Sequence, residues 1–135
     1  MSDPIGSPRT GHRHAQLRAW IACHAVAVRV HQSTRSWAFR DARYLIDQAR
    51  RAAFSAAANI AEGSAKLGPK EFRRYLDISL GSLAELSYAL LLARDLGLIS
   101  QSEWGELEAL RDHAGQLTWG LYRAVSKRAS ERTAR

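Results

Sequence analysis

Two sets of side chains in this sequence have the types that catalysis or metal binding would use, and their spacing decides against both. Di-metal sites in helical bundles take Glu-x-x-His from two helices and a further Glu from each of the others. Here the residue three beyond Glu62 is Ala65, and the residue three beyond Glu85 is Tyr88. His24 and His31 lie seven apart on one helical face, but no carboxylate accompanies them there. These histidines read as structural or exposed residues, and no metal site is assigned. The nucleophiles fare no better. Cys23 and His24 are sequence neighbours, so on a helix they point about 100 degrees apart and cannot pair. Ser55 and Ser82 have no His near them in sequence. No Gly-rich phosphate loop follows a strand, so no nucleotide cofactor is expected. The chain is therefore expected not to be an enzyme, with no catalytic residue and no cofactor.

Two further sets keep their meaning. Gln48, Ser55, Asn59, Glu62, Ser82 and Glu85 are polar residues among apolar seams. Ser55, Asn59 and Glu62 step by four and three along one helix face, and Glu85 follows Ser82 by three. Polar groups so placed must be hydrogen-bonded or stability is lost. We read them as a structural network that fixes register between helices or subunits; a ligand groove is the alternative. The other set is basic. Arg50 and Arg51 are either salt-bridge partners of Asp47 and of acids on a neighbouring element, or contacts for a phosphate. Arg18, Arg29, Arg43, Arg123, Lys127 and Arg128 complete the candidate nucleic-acid-binding set.

The charge balance supports that set. The 135-residue chain carries 20 Lys and Arg against 13 Asp and Glu, a formal net charge of +7. The excess is uneven. Residues 1–53 have net charge +6 and residues 123–135 have +4, whereas residues 54–122 have −3. A basic domain attracts polyanions non-specifically, and salt weakens that attraction. Arg outnumbers Lys heavily, which suits bidentate phosphate contacts, although a GC-rich genome would favour Arg codons for other reasons. The single cysteine cannot form an internal disulfide and fits a reducing cytoplasm. No apolar run approaches the roughly 18 residues that span a bilayer, so no membrane association is expected.

The elements that position these residues are helices. The stretch from Gln48 to Gly63 is the densest run of small residues and is built for close helix approach. Helices are expected over about 15–35, 41–65, 69–97 and 100–128, between a disordered basic leader (1–14) and a disordered basic tail (129–135). The inner stripe of helix one reads Leu17, Trp20, Ala27 or His24, and Val28 to His31. Asp41 is the candidate N-cap of helix two, whose seam is Leu45, Gln48 or Ala49, Ala52, Ala56, Asn59 and Ile60. Pro69 opens helix three, and its heptad-like stripe is Phe72, Leu76, Ser79, Leu83, Leu86, Leu90 and Ala93. Gly97 ends it. Ser100 and Glu103 form a capping box for helix four, which buries Leu107, Leu110, Ala114, Leu117, Leu121 and Val125. No segment has a strand period. The expected fold is all-α: an antiparallel up-down-up-down four-helix bundle.

Trp20, Thr34, Gln48-Ala-Arg-Arg-Ala-Ala53, Ser55, Asn59-Ile-Ala-Glu-Gly63, Glu71-Phe72, Leu76 and Gly81-Ser-Leu-Ala-Glu-Leu86 stand at specific separations. Through them the chain resembles the four-helix bundle proteins related to those encoded in 23S rRNA intervening sequences. The resemblance runs from Leu17 to about Gly97 and weakens in helix four. It implies a cytoplasmic, non-enzymatic bundle that assembles as a ring-shaped homopentamer. A structurally similar group, the accessory variability proteins of diversity-generating retroelements, uses a basic pentameric barrel to bind nucleic acid and a reverse transcriptase. Three departures are visible. Trp37-Ala38 stands where the family has Phe-Pro, which implies a looser first turn. Ala56-Ala57 replaces a branched residue and Pro, which should straighten helix two. Leu80 replaces a common basic residue, which argues against a positive face on helix three.

The function expected from the sequence is an oligomeric bundle that binds RNA or DNA through basic arms and surface Arg, without strong sequence specificity. The alternative is a structural or adaptor bundle whose partner is another protein.

Overall fold

The computed structural model describes residues 13–37 and 42–134. They form four helices and no strand: α1 (Arg13–Thr34), α2 (Arg43–Ser64), α3 (Pro69–Asp95) and α4 (Gln101–Ala134). α2 and α4 each pack against both α1 and α3, while the diagonal pairs α1 with α3 and α2 with α4 have no close backbone approach.

α3 is the centre of the core because its apolar residues recur at alternating steps of four and three. All seven stripe residues, Phe72, Leu76, Ser79, Leu83, Leu86, Leu90 and Ala93, are buried. Fully burying each large apolar side chain stabilises the fold by about 1.5 to 3 kcal/mol. Its ends follow from backbone chemistry. Gly68, at φ 84°, lets the chain turn before Pro69 takes the first helical position. At the other end Gly97 adopts φ 76°, with Gly97 N–H donating to the Arg94 carbonyl and Leu98 N–H to the Ala93 carbonyl. That is a Schellman stop. The helix has 27 residues and is apolar over much of its length. Length and composition alone would allow it to cross a membrane, but its apolar stripe faces the bundle.

α2 presents Leu45, Ala49, Ala52, Ala53, Ala56, Ala57 and Ile60 to the core. Of the two seam alternatives Ala49 is inside, while Gln48 is exposed and Asn59 half-buried. The helix runs unbroken through Ala56-Ala57. Asp41 lies outside the described residues, and Ala42, which precedes the helix, makes no side-chain cap. At Gly63 α2 lies close against α3. A Cβ there would lie 2.6 Å from Tyr75 Cβ and 2.9 Å from Phe72 Cδ1.

α1 corrects the sequence reading by about one residue. Its buried face is Gln16, Ala19, Cys23, Val26, Val30, Ser33 and Thr34. Leu17, Trp20 and Ala27 are half-buried, and Val28, His24 and His31 are exposed. The helix has two apolar faces, and the one with smaller side chains packs inward, where α1 meets α2 and α4. Just after it Trp37 is buried, and its Nε1–H donates to Ser33 Oγ at 3.2 Å; the rest of the turn expected to be looser lies outside the described residues.

α4 begins as expected, with Ser100 Oγ accepting the Glu103 N–H at 3.0 Å. It buries Leu107, Ala114, Thr118, Leu121, Val125 and Ala129, with Leu110 and Leu117 half-buried. It does not fray at residue 128. The helix continues to Ala134, so the tail expected to be disordered is helical, and Ala129 is a core residue. Likewise α1 already includes Arg13 and His14, while the leader before them lies outside the described residues.

Candidate nucleic-acid interface

Placed on the fold, the candidate basic residues separate into used and free. Arg50 Nε–H donates to Thr34 Oγ1 at 2.8 Å, and the Thr34 hydroxyl in turn donates to the Val30 carbonyl. This ties α2 to the end of α1, so Arg50 is an internal partner, though of a hydroxyl rather than of Asp47. Arg29 pairs with Glu106 of α4 at 3.3 Å. Arg128 is half-buried, and its Nη1 is enclosed with no hydrogen-bond partner. Arg18, Arg43, Arg51, Arg123 and Lys127 are exposed, and no ion pair holds any of them among the described residues. These five are available to an external anion.

Sequence reasoning missed a basic group that the fold assembles. Lys70 and Arg73 of α3 and Arg132 of α4 line two adjoining clefts of about 410 and 320 Å³ beside the α2–α3 turn. Lys66, in that turn, lies over the Tyr75 ring at 5.4 Å, and Arg74 lies over it at 4.7 Å. Arg74 also holds Glu71 at 2.8 Å, which keeps the guanidinium pKa above its ordinary value. Lys66, Lys70, Arg73 and Arg74 belong to the stretch whose net charge is negative, so summing along the chain hides them. The first turns of α3 thus carry cations, apart from Leu80, from which the expectation against a positive face on helix three is drawn.

The expected polar network is smaller than its six residues. Ser55 and Ser82 hydroxyls meet at 2.8 Å across α2 and α3, and Asn59 Nδ2 donates to the Ser55 carbonyl and hydroxyl at 2.8 and 3.0 Å. Gln48, Glu62 and Glu85 are exposed and make no hydrogen bond to it among the described residues. A second polar layer lies deeper. The Cys23 thiol of α1 lies 3.6 Å from Thr118 Oγ1 of α4, with the Ser79 hydroxyl of α3 also beside it. Ser79 Oγ–H donates to the Ala56 carbonyl of α2 at 2.7 Å. One residue from each helix meets at this level, each of them fully buried. Burial pushes the Cys23 thiol up to about 11, against weaker lowering by the two hydroxyls. The protonated thiol is a poor nucleophile.

His24 and His31 on α1, Glu62 on α2 and Glu85 on α3 are exposed, and among the described residues no three His, Cys, Asp or Glu side chains converge as metal ligands. His24 stacks on Trp20 with ring centroids 5.0 Å apart. Together with Val28, Phe54, Ala57 and Ala61 they line an apolar groove of about 700 Å³ between α1 and α2. Phe54 is 67% exposed there, an unusual position for a large aromatic in a small bundle.

No curated protein matches the chain. The family described as 23S rRNA-intervening sequence protein matches residues 15–120, which takes in α1, α2, α3 and the greater part of α4 with the Ala seam and both polar layers. On that match over most of its length, the chain belongs to the 23S rRNA-intervening sequence protein family.

Proposed function

We propose that the protein is a non-enzymatic, cytoplasmic, oligomeric bundle that binds nucleic acid, RNA or DNA, through surface Arg and Lys without strong sequence specificity. The observation that carries this reading is the set of exposed cations Arg18, Arg43, Arg51, Arg123 and Lys127, with no ion-pair partner among the described residues, on a chain of net charge +7. Long cationic side chains without internal partners give salt-dependent attraction to phosphates, which positions a protein without reading sequence.

The bundle is read as antiparallel and up-down-up-down. Supporting this, residue numbers rise on one helix as they fall on its neighbour: Ser55 meets Ser82 and Gly63 lies against Tyr75, while Cys23 meets Thr118 and Arg29 meets Glu106. The apolar groove with Phe54, Trp20 and Val28 supports self-association into a ring, a homopentamer by family resemblance. The same groove favours the alternative reading, an adaptor whose partner is another protein.

Retention of labelled RNA at about 50 mM and about 200 mM salt separates the two, because phosphate contacts weaken steeply over that interval. Binding at the lower concentration that falls at the higher is expected. Absence of binding at the lower concentration leaves the adaptor reading. Light scattering on the same sample should return a multiple of the 15.0 kDa chain mass; the monomer mass at micromolar concentration would exclude the ring.

A further inference from the structure

We infer that the end of the bundle formed by the α2–α3 turn, the first turns of α3 and the last turns of α4 is the surface that seats the nucleic-acid backbone. This rests on the nucleic-acid reading above and gives it a location. Two segments distant in sequence, residues 66–73 and the last turns of α4, bring Lys70, Arg73 and Arg132 together there, with Lys66 in the adjoining turn. Lys70 borders both clefts, Arg73 one and Arg132 the other, and the clefts share Ala129 and Thr133. The Arg132 guanidinium reaches across Gly68, passing 3.3 Å from where a side chain would begin. Because α4 is helical to Ala134, these cations project from a fixed scaffold and not from a loose arm. Less side-chain and backbone entropy is then lost on binding.

The local acids do not cancel this charge. Glu71 is held by Arg74, and Glu62, Asp77 and Glu131 are exposed and make no ion pair with Lys70, Arg73 or Arg132 among the described residues. The contrast with the meeting of α4's first turns with α1 and the end of α3 is sharp. There Arg29 pairs with Glu106, Arg94 with Asp95, and Arg111 with Glu108 at 2.6 Å. Positive charge is neutralised in one place and left open in the other.

The partner chemistry is phosphodiester backbone and not bases. Stacking readers need an exposed aromatic face. The aromatic ring here, Tyr75, is half-buried and covered by Lys66 and Arg74. The surface should therefore hold a strand by its phosphates and tolerate any sequence.

The test uses the full chain and a labelled oligouridylate. Lys70→Gln, Arg73→Gln and Arg132→Gln are combined in one variant. A second variant lowers net charge equally with Gln101→Glu, Ser102→Glu and Ala109→Glu, at exposed positions on the first turns of α4. Affinity at about 50 mM salt should fall roughly tenfold to a hundredfold in the first variant and much less in the second. The slope of log affinity against log salt should become shallower by about two in the first, at about 0.7 for each single-strand phosphate that no longer meets a cation. Replacing the same three positions by the other basic residue (Lys70→Arg, Arg73→Lys, Arg132→Lys) should restore binding, which separates charge from folding. Equal weakening in the two charge variants would overturn the location while leaving the nucleic-acid reading standing. No binding by the unaltered protein would remove the reading itself. Retention on phosphatidylserine vesicles without retention of oligouridylate would overturn both.

Discussion

Gly63→Val should destabilise the protein by about 3 kcal/mol, the upper end of the usual cost of overpacking. Any Cβ at this position meets Tyr75 Cβ at 2.6 Å and Phe72 Cδ1 at 2.9 Å. The Phe72 ring could rotate away, but Tyr75 Cβ is fixed to the α3 backbone, so the two helices must separate. Separation loosens the Ala seam beside it, where small side chains leave nothing to fill the gap. Valine is also a better helix former than glycine by a few tenths of a kcal/mol, so helix propensity opposes the effect and cannot explain it. Gly105→Ala is the matched comparison. A Cβ there meets nothing within 4 Å, so that change should be neutral or stabilising by up to about 1 kcal/mol. Urea unfolding of both variants decides the matter. Equal midpoints would show that α2 and α3 can part at no cost.

Phe72→Ala should cost more, about 3 to 5 kcal/mol, which is the range for emptying a buried aromatic site. Phe72 is 1% exposed and sits between the first turns of α3 and Gly63 of α2. The surrounding helix ends are held by the Gly68-Pro69 turn, so little collapse into the cavity is available. With total stabilities of small domains near 5 to 15 kcal/mol, the variant should be marginally folded at room temperature. Circular dichroism in urea measures it, and a decrease under about 1 kcal/mol would mean that this end of the bundle relaxes freely.

How far such features can be read from sequence differs from helix to helix. α3 is legible to the residue because its large apolar side chains keep one spacing and there is a single stripe to choose. α1 is not, because Leu17, Trp20 and Val28 outweigh Ala19, Cys23 and Val26 in hydrophobicity. The smaller face packs into the core all the same. Thr118 is hidden between Leu117 and Leu121, although it is buried completely and Leu117 only partly. The last turns of α4 read as a tail because their charge outweighs the single core residue, Ala129. For the candidate site, Arg18, Arg43, Arg51, Arg123 and Lys127 are legible as exposed cations. Nothing local distinguishes Arg50 from Arg51, and only the position of Thr34 separates them. Lys70, Arg73 and Arg132 acquire a common surface from the fold, across nearly sixty positions of chain.

The cross-helix pairs also set an order of events during folding. Ser55 and Ser82 are 27 positions apart and Ser79 reaches Ala56 across 23, whereas Cys23 and Thr118 are separated by 95 and Arg29 and Glu106 by 77. Closing the longer loops costs about 1 kcal/mol more in chain entropy, at roughly 0.6 kcal/mol per doubling. Contacts between helices adjacent in sequence, those of α2 with α3 among them, are therefore expected to form first, and α1 to meet α4 after the rate-limiting barrier. A substitution at Ser79 that weakens its bond to Ala56 should slow refolding, and one at Glu106 should mainly quicken unfolding. Stopped-flow traces showing the reverse partition would place the nucleus between α1 and α4 instead.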